Sequence, residues 1–333
     1  MRYTTTISAL IVGCMMVASG AAADTFPTVS GQIEIDFVSI TGDASGANET
    51  NIGQSKTFTD PGHDFRIGTF EVTQGQWNGF KDSLGVPITG TPTYAYDDDQ
   101  YYVGEDLPVN KITWYEAAQF TNWLNTSTGH HPAYRFTGTQ GETDYSVSLW
   151  TSAEADNGTN LIRHKDAFYF LPTEDEWVKA AYWNGSTIQT YATRVGESLH
   201  QGDGVSGTGW NYYDGGYALD PRGPWNVGSG SEELNGTYDM MGNAYEWVES
   251  PYLDGQYAEP YSRAQRGGSF NNQAISLSSD SRLAFDLYGE QALFLMGFRV
   301  AAAIPEPSCL ALLSIGGMCV RWRRNSTRVL RRS

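Results

Sequence analysis

Tyr238-Asp239-Met240-Met241-Gly242-Asn243-Ala244-Tyr245-Glu246-Trp247 is the stretch on which the fold turns. It sets two acidic side chains among small residues and ends in aromatics suited to a core. It also closes the segment from Gly202 to Gly236, which is dense in Gly, Asn, Asp and aromatic residues and has no sustained periodicity. An irregular stretch of that length inside a compact domain is usually functional or ion-stabilised, because something must satisfy its backbone.

Upstream, three short helices announce themselves by one start signal, a Thr cap answered three residues later by an acid or amide. They are Thr73-x-x-Gln76 before Trp77 and Phe80, Thr113-x-x-Glu116 before Ala117, Phe120, Trp123 and Leu124, and Thr173-x-x-Glu176 before Trp177, Ala180 and Ala181. Their apolar residues recur at helical spacing, which predicts core aromatics. Ile33–Ile40 alternates at first like a half-buried strand, and Phe65–Phe70 reads as a second. Between them Thr41–Ser55 is a polar loop, and Asp97-Asp98-Asp99 and Thr151–Asn160 read as solvated loops.

The ends read differently. Arg2, an apolar run from Ile7 to Val17 and the small residues Ser19–Ala23 follow the order of a signal peptide over 1–23, with Asp24 the first mature residue. The run is shorter than the ~20 residues a bilayer span needs. Ile11-Val12-Gly13-Cys14 keeps a lipoprotein alternative open, with lipidation at Cys14. At the other end Pro305-Glu306-Pro307 precedes an apolar stretch, Cys309 to Val320, and then six arginines from Arg321 to Arg332. The positive-inside rule holds such a cluster in the cytoplasm. This tail resembles the PEP-CTERM sorting signal over 305–333, which implies a short transmembrane helix and processing by an exosortase-type enzyme. Contact with membrane would then be transient.

Seven of the 21 Lys and Arg, and none of the 38 acidic residues, lie in residues 1–23 and 308–333. The segment between therefore carries 14 basic residues and a net charge of −24. Such a surface repels nucleic acid and anionic membrane, so neither is an expected partner. All three cysteines, Cys14, Cys309 and Cys319, fall in the ends. The segment 24–307 thus has no disulfide, no thiolate metal site and no cysteine nucleophile. It is long enough to bury a core without such staples.

Taken in order, Phe70-Glu71-Val72-Thr73-Gln74, Leu107-Pro108-Val109-Asn110 with Thr113–Ala118, Tyr169–Trp177, Tyr238–Trp247, Arg266-Gly267-Gly268-Ser269-Phe270 and Gly297-Phe298-Arg299 resemble the formylglycine-generating enzyme (sulfatase-modifying factor) domain. The resemblance implies an α+β, C-type-lectin-like fold with little regular secondary structure, as a single domain over 24–304. The family's enzymes oxidise a sulfatase cysteine with oxygen and Cu(I), and a pair of soft thiolates is what selects Cu(I). By position that pair would be Asn272 and about Leu277 here, so no copper is expected. Iron-dependent relatives hold their metal by histidines of an additional domain with no counterpart in this chain. His63, His130, His131, His164 and His200 show no ligand spacing, and His130-His131 reads as solvated surface. Ser269 has no nucleophile-elbow context and reads as a turn or pocket-wall residue.

The resemblance also implies structural Ca2+. Its ligands would be the side chains of Asp239 and Glu246 with the carbonyls of Gly242 and Ala244, a set suited to a hard cation. The competing reading has Glu246 cap a turn while Tyr245 and Trp247 pack inward. A second site would begin at the Asn211 side chain and the Tyr212 carbonyl, with Asp214 and Asp220 competing for its carboxylate. Retroelement-diversified variable proteins resemble the same fold, and by that analogy Tyr245, Ser269, Asn271, Asn272 and Gln273 border a recognition surface. The expectation is an exported, non-catalytic domain that binds polysaccharide or a surface protein in the cell envelope or matrix of a Gram-negative-type bacterium. The alternative is an oxidoreductase of the formylglycine-generating type, or another chemistry in the same pocket.

Overall fold

The computed structural model describes residues 22–84, 102–138, 146–257, 262–285 and 293–305. The Asp97–Asp99 loop, all but the last two residues of the expected signal peptide, and the tail beyond Pro305 lie outside them. Among the described residues no helix is long and apolar enough to cross a membrane.

Strands β1 (Ala22–Thr28), β2 (Gly31–Ile40) and β3 (Phe65–Gly68) come first, then helices α1 (Gln74–Leu84) and α2 (Trp114–Ser127). Two small hairpins follow, β4 (Arg135–Thr137) with β5 (Ser146–Ser148) and β6 (Ala155–Asp156) with β7 (Asn160–His164). Strand β8 (Tyr169–Phe170) leads into α3 (Glu174–Tyr182). The last third holds β9 (Tyr245–Pro251), β10 (Arg263–Arg266), β11 (Leu283–Phe285), β12 (Met296–Phe298) and β13 (Ala301–Ala303).

These form a five-stranded sheet in the order β1-β2-β3-β13-β8 and a four-stranded sheet β11-β10-β9-β12. Strand β12 runs parallel to β9, and the other pairings are antiparallel. Between Tyr182 and Tyr245 the chain forms no helix and pairs only through isolated bridges. This is the α+β, C-type-lectin-like architecture, in one domain.

All three caps are made in both directions. The Thr73, Thr113 and Thr173 hydroxyls accept from the amides of Gln76, Glu116 and Glu176, whose side chains accept in turn from the Thr amides. The helical aromatics go inward as the spacing predicts. Trp77, Phe80 and Phe120 are buried with Phe298, and neighbouring ring centroids lie 5.0 to 6.4 Å apart, within the range that aromatic pairs favour.

Two expectations need correction. Strand β3 stops at Gly68 rather than running to Phe70, because the Thr69 carbonyl turns to accept from Arg299 and from the Tyr238 amide. Thr151–Asn160 is not a plain loop. It contains β6 and the turn into β7, closed by a bulge too short to show periodicity. His130 and His131 are exposed as expected, yet each is stacked, His130 on Phe168 at 4.6 Å and His131 on His164 at 3.5 Å.

The domain's two ends meet on the first sheet. Arg66 of β3 grips the Asp24 carboxylate at 3.0 and 2.7 Å and donates to the Ala303 carbonyl at 3.2 Å. The Tyr169 hydroxyl adds a third bond to Asp24, at 2.8 Å. Burying a guanidinium between strands is tolerable only when it is answered this fully.

Candidate functional site

Strand β10 delivers the chain to Gly267 and Gly268, both at positive φ. A Cβ on Gly268 would lie 2.8 Å from the Leu277 side chain and 2.9 Å from the Ser276 carbonyl, so only glycine lets this turn fold back on itself. Ser269 is fully buried and donates to Asn272 Oδ1 at 2.5 Å, while its own oxygen accepts from the Asn271 amide at 3.3 Å. Asn272 is half-buried, and its carbonyl accepts from the Tyr213 amide at 2.8 Å. A short 3-10 helix, Ala274–Leu277, then carries Leu277 into the core, where its carbonyl accepts from Tyr182 Oη. Neither position that would hold the thiolate pair can bind Cu(I). One is an amide locked to a serine and the other a buried aliphatic side chain.

Around this turn stands an aromatic and polar surface. Exposed Asn271 accepts from Tyr217 Oη at 3.1 Å, and Tyr217 in turn accepts from Arg222 at 2.8 Å. The Arg222 guanidinium lies 5.3 Å from the Tyr217 ring centre, and Tyr213 meets that ring edge-on at 5.1 Å. Gln273 is exposed, and Ile275 beside it is 70% exposed. Ser269, Asn271, Asn272 and Gln273 thus belong to one loop. Tyr245 lies beneath it, buried, with its phenol pKa raised by desolvation and partly offset by the Ser276 hydroxyl. Tyr213, Tyr217 and Arg222 are additions that sequence spacing does not reveal, since they reach the turn from far upstream, Tyr217 lying 54 residues before Asn271.

Under the surface lies a cluster of buried carboxylates. Glu71 accepts from Asn243 Nδ2 at 2.7 Å and from the Ala244 amide at 3.0 Å. Asp239 accepts from Trp225 Nε1 at 2.7 Å and the Gly228 amide at 2.9 Å. Glu233 takes the amides of Met240 and Met241, each at 3.0 Å. Arg299 binds both oxygens of Glu246, at 2.6 to 2.9 Å, and Trp177 Nε1 reaches the same carboxylate at 2.7 Å. Burial, with the charges of Asp239 and Glu246, holds Glu71 well above the usual carboxylate range. Burial likewise pushes Glu233 up to about 8 and Asp239 to about 6. Burial alone would lower Arg299, but Glu246 more than offsets it.

The two segments expected to bind calcium converge here. The Asn243 amide donates to the Asn211 carbonyl at 2.9 Å, and Asn211 Nδ2 donates to Asn243 Oδ1 at 3.1 Å. Gly242 makes this approach possible, for its Cβ would stand 2.2 Å from the Asn211 carbonyl oxygen. The Tyr212 carbonyl accepts from Gln201 Nε2. Arg299 and Trp177 place two donors on each Glu246 oxygen, so Glu246 does not fit a cation ligand as it stands. Asp239 accepts one N–H on each oxygen and does fit. Among the described residues no three His, Cys, Asp or Glu side chains are grouped to hold a metal.

Comparison with known proteins places this geometry. A curated relative, the chaperone protein LppX of Paenibacillus barcinonensis, is 27% identical over 224 residues, 62% of this chain and 69% of its own. Among solved structures, Treponema denticola variable protein 1 superposes with a TM-score of 0.57 at 20% identity, covering 85% of this chain and 99% of its own. CarF gives 0.54 at 23% identity over 81% and 99%. PvdO from Pseudomonas aeruginosa gives 0.51 at 18% over 85% and 92%. These structural likenesses concern the fold. The model of the sulfatase-modifying factor enzyme 1-like domain matches residues 31–304, and the chain belongs to that family.

Proposed function

We propose that this chain is an exported, non-catalytic member of its family that binds polysaccharide or a surface protein through the face around Asn272. The observation that carries this reading is the state of the thiolate positions. Asn272 is tied to Ser269, Leu277 is core, and the surface beside them presents Tyr213, Tyr217, Arg222, Asn271 and Gln273. Rigid tyrosines offer a large contact area at little conformational cost, and with amides they suit sugar rings or peptide. Export rests on the sequence of the two ends. Cleavage after Ala23 would remove the first two residues of β1 but keep Asp24, which Arg66 ties to the sheet together with Ala303.

Screening the intact protein against extracellular polysaccharides and surface proteins tests the reading. Tyr217→Ala and Arg222→Ala are each expected to weaken binding by about tenfold, the scale of an interface residue worth more than 1 kcal/mol. Oxygen-dependent aldehyde formation on a sulfatase-type cysteine peptide would overturn the proposal.

Calcium belongs to the same proposal as a structural ion held by Asp239 and main-chain oxygens, not by Glu246. An ion bound only by the folded state raises Tm with its concentration. An unchanged Tm on going from chelator to millimolar calcium would remove it from the account.

A further inference from the structure

Away from the Asn272 face, a cavity of about 430 Å³ opens where the turn before β3, the β6–β7 hairpin and the end of β13 come together. Its volume falls in the range of small-molecule sites, roughly 300–1,000 Å³. Arg163 lines it as a buried side chain, whereas Asp64, Asn157 and Lys165 are exposed and form its rim.

The cations facing this cavity are nearly all engaged already. Arg163 donates through Nε to Glu249 and through both Nη atoms to Glu176, with Nη2 also on the Leu171 carbonyl. His63 sets Nδ1 against the Pro61 carbonyl at 3.0 Å and Nε2 against Glu176 at 3.1 Å. His164 Nδ1 accepts from the Asp166 amide at 3.2 Å, which leaves its one N–H on Nε2 and its ring neutral. Burial, then the charge of His131, lowers its pKa in the same sense.

Four other groups keep open bonding capacity. Asp64 uses one carboxylate oxygen, for the Gly42 amide at 3.1 Å. Asp156 meets Arg163 at 3.5 Å, too long for a good hydrogen bond. Among the described residues, the Asn157 amide and the Lys165 ammonium make no side-chain hydrogen bond or ion pair.

This inventory selects the chemistry of a guest. An anion would face Asp64 and Asp156 with only Lys165 to hold it. A cation would face Lys165, with the Arg163 guanidinium behind the wall. An apolar guest would strip water from the four open groups and replace none of their bonds. An uncharged, hydroxyl-rich ligand fits: its hydroxyls donate to the carboxylates and accept from Lys165 Nζ and the Asn157 amide. The C–H patches of a sugar ring also suit Ile304, 39% exposed at the cavity wall. The walls are set before anything binds. His164 is stacked on His131 at 3.5 Å and meets Trp150 edge-on at 4.6 Å, and Arg163 is fixed by its ion pairs. A preorganised wall costs little to order.

We propose that this cavity is a second ligand site, for an uncharged sugar residue, separate from the face around Asn272 and independent of it.

The test titrates the intact protein with the methyl glycosides of glucose, mannose, galactose and N-acetylglucosamine. The 1H–15N signals of Gly62, Asp64, Asn157 and Lys165 are followed. At least one glycoside should give saturable shifts there at millimolar concentration. Glucuronic acid and glucosamine, each charged at pH 6, should bind about tenfold more weakly than the best neutral sugar. Lys165→Ala and Asp64→Asn, the second of which keeps an oxygen for Gly42, should each weaken binding about tenfold. Tyr217→Ala should leave these shifts unchanged, so that either site can fail without the other. No shift with any neutral sugar, a preference for the charged ones, or full affinity in both cavity variants would overturn the proposal.

Discussion

Arg299 shows how single residues stabilise a fold with so little regular structure. Its guanidinium meets Glu246 and the carbonyls of Gly68, Thr69 and Tyr238, and so joins β9 to the end of β3 and to the irregular segment. Removing one partner of a buried ion pair strands the other charge, at about 3–5 kcal/mol. Glu246→Gln is therefore expected to destabilise by that amount in calcium and in chelator alike, as read by urea unfolding. A loss seen only in calcium would instead make Glu246 a ligand. Parts of this site are legible in sequence. Ser269–Gln273 is contiguous, and its glycines announce a turn. The partners are not legible, because Glu71 and Asn243 are 172 residues apart and His63 and Glu176 are 113 apart. No local periodicity encodes a contact at such separations.

Elements were more readable, because their signals are local. A capping box spans four residues, and the three read above, at Thr73, Thr113 and Thr173, each start a helix. The box of α3 does more than cap. Glu176 accepts from the Thr173 amide and from Arg163 and contacts His63. Two substitutions in one box should then differ sharply. Thr173→Ala loses a cap, about 1 kcal/mol. Glu176→Gln also leaves Arg163 short of a buried partner, which costs about 3–5 kcal/mol. Chemical denaturation of the two variants gives the comparison directly, and equal losses would mean that Glu176 is only a capping residue. Strands β6 and β8, of two residues each, escaped the sequence reading because alternation needs more residues than they possess.

The whole molecule carries a net charge of −17, and it buries acids as well as displaying them. Glu233 at about 8, and Asp239 and Asp175 at about 6, are raised by burial. Unfolded, such groups titrate near 4. The folded state thus binds more protons between about pH 4 and 8, and stability must fall as pH rises through that window. His63, also raised, adds to the loss above its unfolded value, which lies near pH 6.5. On the acid side Glu174 and Glu176 are lowered by their arginines against burial, so their contribution disappears as pH drops below about 4. Stability should therefore peak on the acid side of neutrality and decline, on the order of a few kcal/mol, toward pH 8. Glu233→Gln, which cannot ionise, should flatten the decline. Calcium offers a second lever. A divalent cation at Asp239 favours the ionised carboxylates and should flatten the same limb, while chelator restores it. A stability that rises from pH 5 to pH 8, or a slope untouched by Glu233→Gln, would show that these buried acids stay charged in the folded protein.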